Sequence, residues 1–298
     1  MNMKKFIFIL FALLFSIIET RASDEINFNS IIYLYPINLK PADLGIKGTI
    51  SKITQKRWSA VMKFGEPTKN KVLEEEVFEY KNGLLISYLK KGDFFTSEED
   101  DETKWVFTYT DDKKVREVYV KQKRSYGTFN SIFIYRYSNG KLESVDQREL
   151  PDNYNPISGY NKEGRRKGLS KITYLGNQTN IKKYDEDGKI LQEFVYVSNK
   201  LVRIIDYAII GGIRWIKDYN YNKLGYLTEE TTKYNDGRID KYYYKYNDRG
   251  WVAIWYDNTG WKTGFSYVVD KRGNWVQKIQ SAGVNESFFL FEREIVYQ

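Results

Sequence analysis

A short cassette recurs from Tyr80 almost to the C-terminus: Tyr, two or three polar residues, Gly, any residue, then an apolar residue. It reads Tyr80 to Gly83 to Leu85, Tyr137 to Gly140 to Leu142, Tyr184 to Gly188 to Ile190, Tyr221 to Gly225 to Leu227, Tyr234 to Gly237 to Ile239 and Tyr246 to Gly250 to Val252. Gly225, Gly237, Gly250, Gly260 and Gly273 follow one another at 12, 13, 10 and 13 residues. A unit this short is one hairpin, which cannot bury its own apolar face, so neighbouring copies must share a core. Asn or Asp opening the turn bonds to nearby backbone, and Gly takes positive φ, a pattern that fits a type I turn closed by a left-handed residue and a bulge. Gly83, Gly140, Gly164, Gly188, Gly225, Gly237, Gly250, Gly260 and Gly273 are thus predicted turn positions. Asn199 after Tyr196, and Asp112 after Tyr109, fill the larger gaps.

Composition agrees with strands. The chain has 26 Tyr, 17 Phe and 7 Trp against 5 Pro, a bias that suits pleated, half-buried surfaces. The predicted fold class is all-β, a repetitive antiparallel β-hairpin array in an open or spiral sheet. With no His and no Cys, the Ser-His-Asp and Cys-His devices and every zinc site on thiolate or imidazole are excluded. The formal net charge is +8, and basic residues alternate with acidic ones in nearly every cassette, which reads as solvated strand faces rather than a nucleic-acid surface. The densest basic stretch is Lys162, Arg165, Arg166, Lys167 and Lys171.

Residues 1–22 read as a secretory signal, with Lys4 and Lys5 before the apolar run Phe6 to Ile18 and small residues near a cut after Ala22. That run is too short to span a bilayer. We therefore expect an exported protein, periplasmic, at the cell surface or secreted, with no transmembrane span in the mature chain and no lipid-bearing Cys. Residues 23–44 read as a lead-in tether, 45–74 as N-terminal capping strands and 75–298 as the repeat domain with a C-terminal capping strand.

The run Tyr244-Lys-Tyr246-Asn-Asp-Arg-Gly250-Trp-Val252, with Asp270-Lys-Arg-Gly273-Asn-Trp275-Val276 behind it, resembles the YD repeats of Rhs-type bacterial cell-surface proteins. The resemblance covers roughly residues 75–280. It implies a β-sheet spiral and a small exported form without a toxin domain.

Strand alternation places Tyr242, Tyr244 and Tyr246 on one face, and beyond the turn Trp251, Ala253 and Trp255 on another. Trp251, Trp255, Tyr256 and Trp261 are the candidate binding residues, since flat rings stack on sugar or peptide faces. Of these, Trp255 is expected to be packed and Trp261 most exposed, with the ladder Tyr hydroxyls wet at the rim. The acidic run Glu98 to Glu102 could collect calcium but reads as a solvated loop, while the stretch Asp185 to Gly188 lacks the register of a calcium loop and reads as a turn. Gly211-Gly212 reads as a bulge or longer turn. No metal and no cofactor are expected. The expected function is non-enzymatic: a binding or scaffold module for a glycan, peptide or envelope-protein partner. The alternatives are a purely structural component of a surface assembly or, less favoured, a glycoside hydrolase on two of the carboxylates.

Overall fold

The computed structural model describes residues 41, 46–63, 66–92, 101–151, 164–208, 211–282 and 287–298. The signal and nearly all of the tether lie outside them. Eighteen strands follow one another: β1 (Ile50–Lys63), β2 (Glu66–Lys81), β3 (Leu84–Lys91), β4 (Glu102–Tyr109), β5 (Val115–Arg124), β6 (Gly127–Ser138), β7 (Lys141–Leu150), β8 (Arg165–Leu175) and β9 (Gln178–Asp185). The second half is β10 (Ile190–Val197), β11 (Lys200–Tyr207), β12 (Ile213–Tyr221), β13 (Leu227–Tyr234), β14 (Ile239–Tyr246), β15 (Val252–Asp257), β16 (Lys262–Val269), β17 (Trp275–Ala282) and β18 (Ser287–Tyr297).

Every strand pairs antiparallel with its sequence neighbours, and β18 returns to β1 from Ile50↔Tyr297 to Ala60↔Phe288. The sheet is a closed barrel. The hairpin array is therefore as expected, while the open or spiral arrangement is not, because pairing the first strand with the last removes both edges. The capping role expected of residues 45–74 has no sheet end to cover, since β1 is paired on both sides. A polar latch holds this seam. Asn274 accepts from the Lys47 amide at 2.7 Å and donates to the Lys47 carbonyl at 3.1 Å and to Tyr297 Oη at 2.7 Å, and Tyr297 in turn donates to Asp270 at 2.6 Å.

Turn chemistry follows the residues. Eight of the nine predicted turn glycines have φ between +75° and +90°. Gly164 does not: it lies just ahead of β8, where a Cβ would collide with the Glu149 carbonyl, so close approach rather than turning requires glycine. Gly176 (φ +62°) is the turn glycine of the β8–β9 hairpin, and Lys113 (φ +62°), not Asp112, takes the left-handed position after Tyr109. Asn82-Gly83, Asn139-Gly140 and Ser198-Asn199 have positive φ at both positions, the two-residue type I′ turn. The longer turns are the expected type. Gly250 N donates to Asn247 O, and Asn247 Oδ1 accepts from the Arg249 and Trp251 amides at 3.0 Å, and Asn222, Asp257 and Asp270 repeat this geometry.

The cassette also builds an interlock between hairpins. Five of the six cassette Tyr pair across their own turn with the apolar residue closing the cassette, Tyr80↔Leu85, Tyr137↔Leu142, Tyr184↔Ile190, Tyr221↔Leu227 and Tyr246↔Val252, with a register shift beside the Tyr; Ile239 instead faces Lys233. Five Tyr hydroxyls near the turns reach one hairpin back to the carbonyl of that hairpin's closing residue. Tyr109 donates to Leu85 O at 2.5 Å, Tyr137 to Val115 O at 2.9 Å, Tyr221 to Leu201 O at 2.8 Å, Tyr246 to Leu227 O at 2.8 Å and Tyr267 to Val252 O at 2.8 Å. The residue between Gly and the closing position covers the next ring: Lys141 lies over Tyr174 at 5.1 Å, Lys200 over Tyr221 at 5.7 Å, and Tyr226 stacks on Tyr246 at 4.8 Å. These hydroxyls are bonded rather than wet, each contributing about 1 kcal/mol net. Burial pushes the Tyr137 phenol up to about 12.

Candidate functional site

One face of the sheet is dry and the other charged. In a closed barrel without a second layer, the dry face is the interior. Around the ring it carries Ile53, Phe78, Leu85, Phe107, Val118, Phe133, Phe194, Ile204, Trp275 and Phe291, all buried. Opposite-face positions carry Lys56–Glu75 at 3.3 Å, Lys182–Glu193 at 3.7 Å, Arg203–Asp218 at 2.6 Å and Lys241–Glu229 at 3.7 Å. Direct cross-strand register places the first three pairs together, while Lys241, opposite Thr231, reaches Glu229 diagonally.

Charges also lie inside. Gln55 bridges two of them, donating to Glu76 at 2.9 Å and accepting from Arg293 at 2.8 Å, while Tyr88 donates to the other Glu76 oxygen at 2.5 Å. Lys90 pairs with Glu74 at 3.0 Å. Burial, then the neighbouring Glu74 charge, pushes the Glu76 carboxyl up, and burial beside Glu76 pushes the Tyr88 phenol well up. For Lys90 burial acts downward, yet Glu74 and Glu76 outweigh it and the ammonium is held above its usual range. Tyr88 is stacked between Phe78 and Trp105 at 4.6 Å on each side. Across the barrel Lys217 pairs with Glu230 at 3.4 Å, and Tyr244 donates to Glu230 at 3.1 Å. Asp206 accepts from Gln192 at 2.9 Å and pairs with Arg214, and burial pushes its carboxyl up and the nearby Lys183 ammonium down.

Carboxylates with altered proton affinity inside a barrel invite a catalytic reading. Glu76 and Glu230 are only 4% and 3% exposed and bonded to their own neighbours, so the interior clusters act as electrostatic clasps between strands. Among the described residues no group of three or more acidic side chains is arranged to hold a metal ion.

The predicted aromatic site comes apart. Trp251 is 6% exposed and packs with Trp275 and Phe291, so it offers no free ring face. Trp255 lies inside against Tyr244, Tyr242 and Phe265. The register shift at Lys245/Tyr246 offsets β15 and sets Trp255 opposite Tyr244. Tyr256 stacks on Tyr243 on the outer wall at 5.1 Å. Trp261, in the turn between β15 and β16, is 51% exposed. It is accompanied by side chains that sequence reasoning did not select: Ile213 at 44% and Ile239 at 47% begin β12 and β14 on the same rim, and Tyr126 at 74% and Phe129 at 40% flank the β5–β6 turn there. Their signal was only an apolar residue beside a turn. The basic stretch is neutralised: Arg165 pairs with Glu186, Arg166 with Asp146 and Lys167 with Glu149, while Lys171 covers Tyr184. Lys162 and most of the acidic run lie outside the described residues.

No protein-family model and no curated protein matches the chain. Among solved structures it is similar to a porin-like protein from Bacteroides uniformis, at 9% identity and TM-score 0.42 over 83% of this chain and 97% of that one. A porin-like protein from Bacteroides vulgatus matches at 13% identity and TM-score 0.34, covering 85% and 99% of the two chains. A DUF1329 family protein from Desulfovibrio piger matches at 10% identity and TM-score 0.22, covering 84% and 87%. These likenesses are too distant to carry an argument about function. The resemblance to Rhs-type YD repeats is overturned by the closure itself, since a sheet with no free edge is not a spiral.

Proposed function

We propose that this chain is a non-enzymatic exported barrel that binds a protein partner through one rim. The observation that carries the reading is the row of exposed apolar side chains Ile213, Ile239 and Trp261, at the turns of three successive hairpins. Equivalent positions on alternate hairpins stand roughly 10 Å apart by strand spacing. Two aliphatic side chains beside one indole suit an apolar protein surface better than a sugar face, which rewards rings. A diffusion channel is disfavoured, because the interior positions are dry and the outer wall carries ion pairs where a bilayer-spanning barrel needs an apolar band about 25 Å tall. Among the described residues no helix is long and apolar enough to cross a membrane.

A photo-crosslinking residue placed at Trp261 or Ile239 should, in the native envelope, yield one defined protein adduct, and the same probe at Lys245 on the outer wall should not. Equal adducts at all three sites, or a glycan that quenches Trp261 emission with no protein adduct, would overturn the protein-partner reading.

A further inference from the structure

The two rims differ in charge. The turns after even-numbered strands, with their flanking strand residues and the segment before β1, form a rim of tight connections. It carries ten basic residues against four acidic ones (Asp111, Asp112, Asp248 and Asp270). The described residues at the same positions of the opposite rim carry seven basic against eight acidic, near balance. The excess therefore belongs to one end of the barrel and is not a general property of turns in this chain.

Lys81, Lys113, Lys141, Lys223, Lys271 and Arg272 on this rim are exposed. Among the described residues, the rim's one ion pair is Lys114 with Asp112, at 2.6 Å. Asp270 is engaged by its own turn and by Tyr297. Several cations are held in place by the interlock, Lys141 over Tyr174 and Arg272 over Tyr297, the latter at 3.8 Å. Two large apolar tips share the rim: Leu224 between β12 and β13 is 77% exposed, and Leu175 at the end of β8 is 58% exposed.

We propose that this tight rim docks on the surface of an anionic lipid bilayer. Basic side chains spread around a ring meet a flat array of anionic headgroups, and protruding leucines enter the interfacial region between them. An acidic polymer would complement the charge but gives no role to Leu224 and Leu175. Attraction of this kind weakens as salt shortens the Debye length.

The test is co-sedimentation of the full chain with vesicles of phosphatidylcholine alone or with added phosphatidylglycerol, at low and high salt. The phosphatidylcholine arm measures binding driven by the apolar N-terminal segment. We expect binding to phosphatidylglycerol vesicles to exceed that arm by about tenfold and to fall with salt. The combined Lys113→Glu, Lys223→Glu and Lys271→Glu variant should lose most of the difference. An opposite-rim variant of equal charge change, Lys189→Glu, Arg238→Glu and Lys262→Glu, should stay within about twofold of the parent chain. Leu224→Ser alone should weaken binding without altering its salt dependence, which keeps the test open if the triple variant misfolds. No preference for phosphatidylglycerol, equal loss in both triple variants, or full competition by heparin with no effect of Leu224→Ser would each overturn the proposal.

Discussion

Lys217→Met should cost about 3–5 kcal/mol of unfolding free energy, the largest loss expected from any single interior charge change considered above. Methionine keeps the length of the side chain but removes the ammonium that sits 3.4 Å from Glu230. Glu230 is 3% exposed, so its carboxylate would be left inside the barrel beside the Tyr244 hydroxyl with its cationic partner removed. Lys241→Met is the comparison. Lys241 and Glu229 also pair, at 3.7 Å, but on the wetted outer wall, where such pairs contribute about 0–1 kcal/mol. Chemical denaturation of the two variants measures the difference, and equal midpoints would mean that the face assigned as interior is hydrated.

Gly250→Val should destabilise more than Gly237→Val, by about 1–3 kcal/mol. Both positions have positive φ, +76° and +87°, so both variants bear the backbone strain of a β-branched residue there, on the order of 1–3 kcal/mol. The surroundings differ. A Cβ at Gly237 meets nothing within 4 Å, whereas at Gly250 it collides with the Tyr226 ring. That ring is stacked on Tyr246, whose hydroxyl holds the preceding hairpin at Leu227 O. Displacing Tyr226 therefore loosens the interlock as well as the turn. Urea midpoints for the two variants test this, and a Gly237→Val loss equal to that of Gly250→Val would remove Tyr226 from the account.

The turns were legible in the sequence because their chemistry is local. Asn or Asp four residues ahead of a backbone amide, with Gly between, specifies the same geometry wherever it occurs, and Asn247, Asp257 and Asp270 show it. Gly164 was misread and Gly176 passed over for a related reason: Tyr160 stands four residues before Gly164 by coincidence, while Tyr174 stands only two before the true turn glycine. Closure was not legible. It depends on Ile50 meeting Tyr297, a pairing between chain-distant strands that a repeat of nearest-neighbour units does not encode. The interior ions were hidden too, because Lys217 and Glu230 alternate along their strands just as the solvated Lys241 and Glu229 do. Which alternation faces inward becomes known only once the sheet has closed. For the aromatic candidates, a single register shift at Tyr246 was enough to set Trp255 opposite Tyr244.

Closure is tested most directly at the seam. Thr54 and Glu294 face each other across β1 and β18, and the native chain contains no cysteine, so Thr54→Cys with Glu294→Cys introduces the only two thiols. Directly opposed positions on an antiparallel pair have Cα atoms about 4.5–5.5 Å apart, within reach of a disulfide. A closed barrel predicts rapid intramolecular cross-linking of the folded monomer on mild oxidation, with the far-ultraviolet spectrum unchanged. A folded monomer whose two thiols stay free, or cross-link only between molecules, would contradict closure.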